Sequence, residues 1–529
     1  MNDLLDPEGG GPAERESLAA EAVESGPAGS RTLLGAAALG STATILVGLL
    51  GVARTKALAV GLEPSGLGLY GQVLTLLTAL SAASGLGLGL GTTRVVAECR
   101  AKGDREGLKT ALEVSFALPL AAATALALVL AGSSGLLAPL LLDDDRPLLI
   151  VLAALAVPMV ALQGPLVHAL QGFRDVSGAQ GSNLFFGLVL TLASVAGVVV
   201  AGLNGAVVAL AAGNLAYAAA LVWRLRGLLH QSGVRLSPAA GLRRDHLRRP
   251  LVRGMLAIGF ASLFVGIASA LAELVVRTFV LRSEGAADAG ILQALQLVSV
   301  QLLGVIVASI VFLSFTAITE AHATGNRDGV RRSLDDTLRL ALLLVLPVLV
   351  GLVLFRGEFI RLFLSSGFGE AADLLPLQMV GDTLRTVAWV LGTALVPLGL
   401  TRVWTGVTLL TVAGYVVAAA ALVPAMGLDG AVVAYVVEWA VAAAATVWVL
   451  ARRGYLGLSG LTVRALAAAV AVVAAAAAPE PPLALAALLL AAFAGLLLLG
   501  ATEREERAAL AERARGYAAG RRRRNRPQP

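Results

Sequence analysis

The residues of this chain best placed to do chemistry are acids and bases set inside long apolar stretches. Glu273 and Arg277 lie four apart in one such stretch, and Asp382 and Arg385 three apart in another. On a helix either spacing puts both side chains on one face, where they can pair. Arg54 and Lys56 sit near the end of a third stretch, Arg94 near the end of a fourth, and Glu438 alone in a fifth. An ionised group inside a bilayer costs about 2.5–3.5 kcal/mol on insertion scales, so each is a functional candidate. The cations would draw an anionic substrate such as a pyrophosphate, for which arginine offers paired donors. The candidate substrate-binding set is therefore Arg54, Lys56, Arg94, Arg277 and Arg385. Glu273 and Asp382 would balance charge in an empty cavity or couple movement to a H+ or Na+ gradient. Plainer readings stand beside these: Arg54, Lys56 and Arg94 are close enough to span ends to snorkel, and the two acid–base pairs can be structural.

The setting of these residues is a membrane. Of 529 residues, 57% are hydrophobic and 14% charged, with a mean hydropathy of +0.82. Soluble domains run at about 45–50% apolar and about 25% charged. That excess excludes a soluble enzyme, a nucleic-acid-binding protein and a disordered scaffold. The formal charge of +6 is explained by basic residues in loops between apolar spans. One cysteine, Cys99, excludes an internal disulfide, and the four histidines form no i,i+4 pair, so no metal site is expected. The three lysines, Lys56, Lys102 and Lys109, do not follow glycine, so a phosphate-binding loop and ATP hydrolysis are excluded. No catalytic residue and no cofactor are expected. The run GLGLGLG at 85–91 lies inside an apolar span with no strand before it, which fits close helix packing better than dinucleotide binding.

A helix needs about 20 apolar residues to cross the hydrocarbon core. Fourteen stretches qualify: 32–57, 67–96, 110–133, 147–172, 181–201, 204–225, 253–280, 289–317, 333–355, 373–399, 405–426, 430–451, 462–478 and 483–500. They are numbered here as spans one to fourteen. The last two are short, and a count of twelve stays open. Alternate loops are rich in arginine, notably 224–253 with eight, whereas the others hold little beyond Arg146, Arg282, Arg356 and Arg361. The positive-inside rule then predicts a multi-pass protein of the cytoplasmic membrane with both termini in the cytoplasm. Residues 1–30 read as a disordered acidic leader without the features of a signal peptide. The tail 501–529, ending in a run of arginines, reads as a solvated topogenic segment or a contact for anionic lipid headgroups.

The chain also repeats itself. VAECRAKGDREGLKTAL (96–112) aligns with ITEAHATGNRDGVRRSL (318–334) at an offset of 222, and GLNGAVVA (202–209) with GLDGAVVA (427–434) at 225. In the second register Trp223 falls on Trp448, and Gln72 and Gln293 are read as matching between the repeats. Nearly equal offsets at separated polar loops mark duplication of a whole unit. An even number of spans per unit makes the copies parallel. The expected fold is all-α polytopic, with about fourteen transmembrane helices. It comprises two parallel six-helix lobes about a pseudo-two-fold axis along the membrane normal, plus two C-terminal helices. The expected divisions are 1–30; a first lobe over 31–226; a basic linker over 227–252; a second lobe over 253–451; two further helices over 452–500; and the tail 501–529.

The stretch from Gly40 to Glu98 resembles the polysaccharide transporters of the multidrug/oligosaccharidyl-lipid/polysaccharide exporter superfamily. It carries ARTKALAVGLEPSGLGLYGQ (53–72) and then a glycine-rich span closing TTRVVAE (92–98). The turn Glu63-Pro64-Ser65-Gly66-Leu67-Gly68 is similar to one in O-antigen and enterobacterial-antigen flippases, with Glu63 in place of the usual glycine. The openings of spans six and twelve fit as well, and the resemblance covers roughly residues 30–451. It implies transfer of an undecaprenyl-pyrophosphate-linked oligosaccharide between leaflets by alternating access, for surface polysaccharides such as lipopolysaccharide. Arg54, Arg94 and Arg277 would then be cavity cations. The implied partners are the lipid-linked substrate, membrane lipids, a polysaccharide polymerase and a chain-length regulator. Lipid II flipping, cation-coupled drug efflux and, with short outer loops against it, a membrane glycosyltransferase or ligase are the alternatives.

Overall fold

The computed structural model describes residues 27–502; the acidic leader to residue 26 and the tail from 503 lie outside the described residues. Every regular element among the described residues is a helix. In hydrocarbon only a helix satisfies its own backbone within one segment, so strandless spans follow from the composition. Ten helical stretches are long and apolar enough to cross a membrane, and two of them, Leu46–Ser84 and Ser177–Gln231, run to 39 and 55 residues. Each of these two holds a hairpin. The first reverses at Glu63 (φ 57°, ψ 179°), the second at Ala201 and Gly202 (φ 54°, ψ −131°). Ala286–Ala323 and Gly369–Thr393 supply two further crossings, which gives the fourteen spans expected.

Contacts fix the direction of each span. Residues 72, 87 and 91 of span two meet 278, 259 and 255 of span seven in descending order, so the two run antiparallel. Span seven therefore points the same way as span one, and the lobes are parallel copies. Where spans two and eight meet, Gly68 abuts Ala286 and Gly290, while Gly290 abuts Pro64 and Gly68. Both contacts are self-matching at 222, so the pseudo-two-fold axis passes between these two helices. A methyl group on either glycine would collide with the opposing backbone. The same register sets Gln293 opposite Gly71, one residue away from the pairing with Gln72 suggested by the sequence.

The duplicated loops superimpose in chemistry as well as in letters. Asp104 caps the Gly107 amide and Asn326 the Gly329 amide, both at 2.8 Å. Gly103 and Gly325, with φ of 66° and 69°, take the left-handed turns that precede the caps. The repeat also extends past span six. The Ser237 amide donates to Glu113 of span three at 2.8 Å, and the Ser459 amide to Asp335 of span nine at 2.9 Å. The segment 227–252 is thus only partly a linker: the helix of span six continues to Gln231, and Ser237 is tied to the first lobe. Span thirteen is broken at Ala469, and with span fourteen it packs on spans nine and ten.

Candidate functional site

A polar network fills the middle of the second lobe. Span twelve presents Tyr435, Glu438 and Trp439 at i, i+3 and i+4, on one face. Across from them Asp382 of span ten is fully buried and accepts from Ser299 Oγ at 2.6 Å and from the Tyr435 hydroxyl at 2.7 Å. Ser299 accepts in turn from Gln378 Nε2 at 3.0 Å. Arg385, one turn beyond Asp382, donates to the Tyr435 hydroxyl at 3.4 Å and stands 3.9 Å from Asp382 Oδ1. Its guanidinium lies over the rings of Trp389 and Trp439, at 5.1 and 5.4 Å from their centres. On span seven Arg277 is buried and donates to Glu273 at 3.3 Å and to Gln296 of span eight. Glu438 lies within electrostatic reach of Arg385 and Glu273, and Tyr415 of span eleven within reach of Glu438, Glu273 and Arg277. Spans seven, eight, ten, eleven and twelve are joined in this way.

Four of the seven predicted residues, Glu273, Arg277, Asp382 and Arg385, therefore meet in one lobe. The other three do not join them. Arg54 is half-buried near Tyr70 of span two, and its Nε and the Tyr70 hydroxyl are both buried without a hydrogen-bond partner. Lys56 donates to the carbonyls of Arg361, at 3.0 Å, and of Leu364. It thereby caps the end of the short helix Arg356–Phe363 and ties span one to the second lobe at the end away from the basic loops. Arg94 is exposed on the helix Leu88–Ala101.

Span two breaks at Leu86 and Gly87, both with positive φ, before that helix begins. A cavity of about 220 Å³ opens there between the lobes, bounded by Gly85, Gly87, Gly164, His168 and Gly266. None of the five predicted cations lines it. His168 is held by Thr93 Oγ1, 3.0 Å from its Nδ1. Gly87 against Gly259 and Gly91 against Met255 close span two on span seven beside the cavity, the close packing expected of the glycine run.

The sequence reading missed Ser299, Gln378, Tyr415, Tyr435, Trp389 and Trp439, and left Glu438 without a partner. One signal was available. Tyr, Glu and Trp share a face of span twelve at the depth where its duplicate in span six carries Leu210, Gly213 and Asn214.

Comparison with known proteins supplies the context. A family profile described as polysaccharide biosynthesis protein matches residues 58–373. The lipid III flippase of Escherichia coli (strain K12) is 28% identical over 412 residues, which cover 77% of this chain and 96% of that protein. The lipid III flippase of Shigella flexneri matches to the same extent. Among solved structures, a lipid II flippase in an inward closed conformation has a TM-score of 0.67 at 12% identity, covering 87% of this chain and 97% of its own. An inward-facing multidrug resistance transporter of the MATE family has a TM-score of 0.65 at 14% identity, covering 79% and 98%. The architecture is that of the superfamily to which that transporter belongs.

Proposed function

The chain belongs to the polysaccharide biosynthesis protein family, and on that premise we propose that it is a flippase for a lipid-linked oligosaccharide. The substrate would be an oligosaccharide on undecaprenyl pyrophosphate, carried across the cytoplasmic membrane by alternating access for surface polysaccharide assembly. The observation that carries this reading is the seam between the lobes. Bare glycine backbone lies against the opposite lobe at Gly68–Gly290, near the start of span two, and at Gly87–Gly259, at the break in that span. At these two points backbone meets backbone with no side chain between, so the lobes can part at one end while the other stays shut, which is the motion rocking transport requires. The match to the lipid III flippase along 96% of that protein supports the substrate class.

In this reading the chain is a transporter without enzymatic chemistry of its own. Both termini lie in the cytoplasm, as the basic loops favour. Arg54, with a buried Nε unpaired near Tyr70 of span two, is the first residue to assign to the pyrophosphate. Lys56, Arg94, Arg277 and Arg385 are more distant candidates, because Lys56 and Arg277 are engaged elsewhere and Arg94 is exposed. Glu273 and Asp382 would take up H+ or Na+ in coupling. A polymerase and a chain-length regulator would receive the product, with O-antigen as one candidate glycan. Depletion of the gene tests the reading: surface polysaccharide should disappear while its lipid-linked precursor accumulates in the inner leaflet. Undiminished surface polysaccharide would defeat it. Lipid II is the second substrate to consider, since the solved lipid II flippase covers 87% of this chain against 79% for the drug transporter. Accumulation of lipid II in the same depletion would favour it.

A further inference from the structure

Buried hydrogen-bond donors rarely go without acceptors, because each one that does forfeits its bond to water for nothing in return. The second lobe keeps two of them side by side. Arg385 Nε and Trp439 Nε1 are both buried without a partner, and the guanidinium carbon lies 5.4 Å from the centre of the Trp439 ring. Arg385 is held by its hydrogen bond to Tyr435 and by the Trp389 ring, whose centre is 5.1 Å from the guanidinium carbon, which restrains the direction of its unpaired Nε–H.

The first lobe serves as an internal control. At the positions related by 222 in span four and by 225 in span six it carries Gln163 and Asn214. There Gln163 Nε2 donates to Asn214 Oδ1 at 2.6 Å, and Asn214 Nδ2 donates to the Leu210 carbonyl at 2.7 Å. One copy of the unit closes this polar pair on itself. The other replaces it with two donors and two indole rings that do not satisfy each other.

We propose that Arg385 and Trp439, framed by Trp389 and Tyr435, form a recognition site for the saccharide part of the substrate. This rests on the flippase reading above. A sugar offers hydroxyl, ring and acyl oxygens as acceptors, and its C–H face can lie on an indole. The surrounding charge favours a neutral sugar over the pyrophosphate. Asp382 is 3.9 Å from Arg385, and Glu438 is within its electrostatic reach. A multiply charged phosphate would meet these two acids, whereas a sugar hydroxyl can accept from the two N–H groups and donate to them. The lobes would thus divide the substrate, its phosphates near Arg54 and its glycan in the second lobe.

The test compares two lipids on the purified full-length protein in nanodiscs. One is the polyprenyl-pyrophosphate-linked glycan that accumulates when the gene is depleted; the other is undecaprenyl pyrophosphate alone. Trp439→Phe keeps an aromatic ring and removes the N–H with the pyrrole half of the indole. We expect it to weaken binding of the glycan-bearing lipid about tenfold, one hydrogen bond's worth, and to leave the bare lipid unchanged. Arg385→Lys should lower the same affinity ratio, and Trp448→Phe, on an exposed ring, should not. The ratio is independent of the fraction of protein that is correctly folded. Unchanged glycan affinity in Trp439→Phe, or equal weakening of both lipids, would overturn the inference while leaving the flippase reading intact. If the wild-type protein bound neither lipid above an empty nanodisc, both would fall.

Discussion

The two lobes share their ends and differ in their middles. At the ends the copies agree in backbone angle and in hydrogen bond. Gly202 and Gly427 take φ of 54° and 59° with ψ of −131° and −135°. The amides of Ser237 and Ser459 dock on acids of spans three and nine in the same way. Midway along the spans the copies part. Where the first lobe has Leu77, Val160 and Leu210, the second has Ser299, Asp382 and Tyr435. Gly213 packs on Leu190 in the first, and Glu438 stands near Tyr415 in the second. Apolar side chains evidently fit this architecture, since the first lobe uses them. The charged network in the second is therefore not required by the fold, and buried ion pairs are weak stabilisers compared with apolar residues of similar volume. Its presence in the second lobe alone is the asymmetry on which the saccharide proposal rests.

The sharpest way to break this comparison is at Asp382. Removing one member of a buried charged pair leaves the other uncompensated, at a cost of about 3–5 kcal/mol. Asp382→Ala should lower thermal stability by that order and abolish transport. Val160→Ala, at the duplicate position, should cost less than half as much and leave transport measurable. Equal losses at the two positions would show that the network is merely structural. The next largest effect tests what the lobes share. Gly68 and Gly290 face each other across the axis, so Gly68→Val and Gly290→Val should each destabilise the protein by about 1–3 kcal/mol through overpacking. The two losses should also agree closely, and a large inequality in thermal unfolding would mean that the axis lies elsewhere.

What could be read from the sequence follows the same division. The loops were legible because left-handed glycines and the polar caps that follow them leave letters at fixed spacing, as at Gly103–Asp104 and Gly325–Asn326. Span number followed from hydropathy, including the hairpins at Glu63 and Gly202 that helical continuity hides. The pairs Glu273–Arg277 and Asp382–Arg385 were legible because both partners lie on one helix. Partners on different helices were not, since they depend on packing angles that no local pattern records. Ser299 and Tyr435 reach Asp382 from spans eight and twelve, and Gln296 reaches Arg277 from span eight. Lys56 shows the other limit: its spacing suggested a cavity cation, and tertiary packing turned it onto the carbonyls of Arg361 and Leu364. The slip between Gln72 and Gln293 arose because identical letters one residue apart outweighed a glycine contact visible only in three dimensions.

An effect of similar size tests the amide pair that the first lobe keeps satisfied. Gln163→Leu strands Asn214 and should cost about 1–3 kcal/mol, whereas Gln163→Leu with Asn214→Leu should recover most of it because no polar group is then left unpaired. Thermal unfolding of the two variants measures the difference. If the double variant is no better than the single one, Asn214 has a role beyond pairing and the contrast with Arg385 and Trp439 weakens.

The smallest effect lies outside the membrane, at the start of span five. Asp175 accepts from the Gly178 amide at 3.1 Å and from Arg224 at 2.5 Å. At the matching start of span eleven Leu400 makes no side-chain cap. Loss of a capping side chain costs about 1 kcal/mol, so Asp175→Ala should lower stability by that order near neutral pH, with no counterpart in Leu400→Ala. Hydrogen bonding to Arg224, outweighing desolvation, and then to the Gly178 amide holds the Asp175 carboxyl below its ordinary range. A carboxyl depressed in the folded state stabilises fully above its unfolded value, about pH 4, and loses that contribution as pH falls through the folded value. The gap in melting temperature between wild type and Asp175→Ala should therefore be constant from pH 8 to about pH 5 and narrow only in stronger acid. A gap that already narrowed near neutral pH would mean that a group other than this carboxylate sets it.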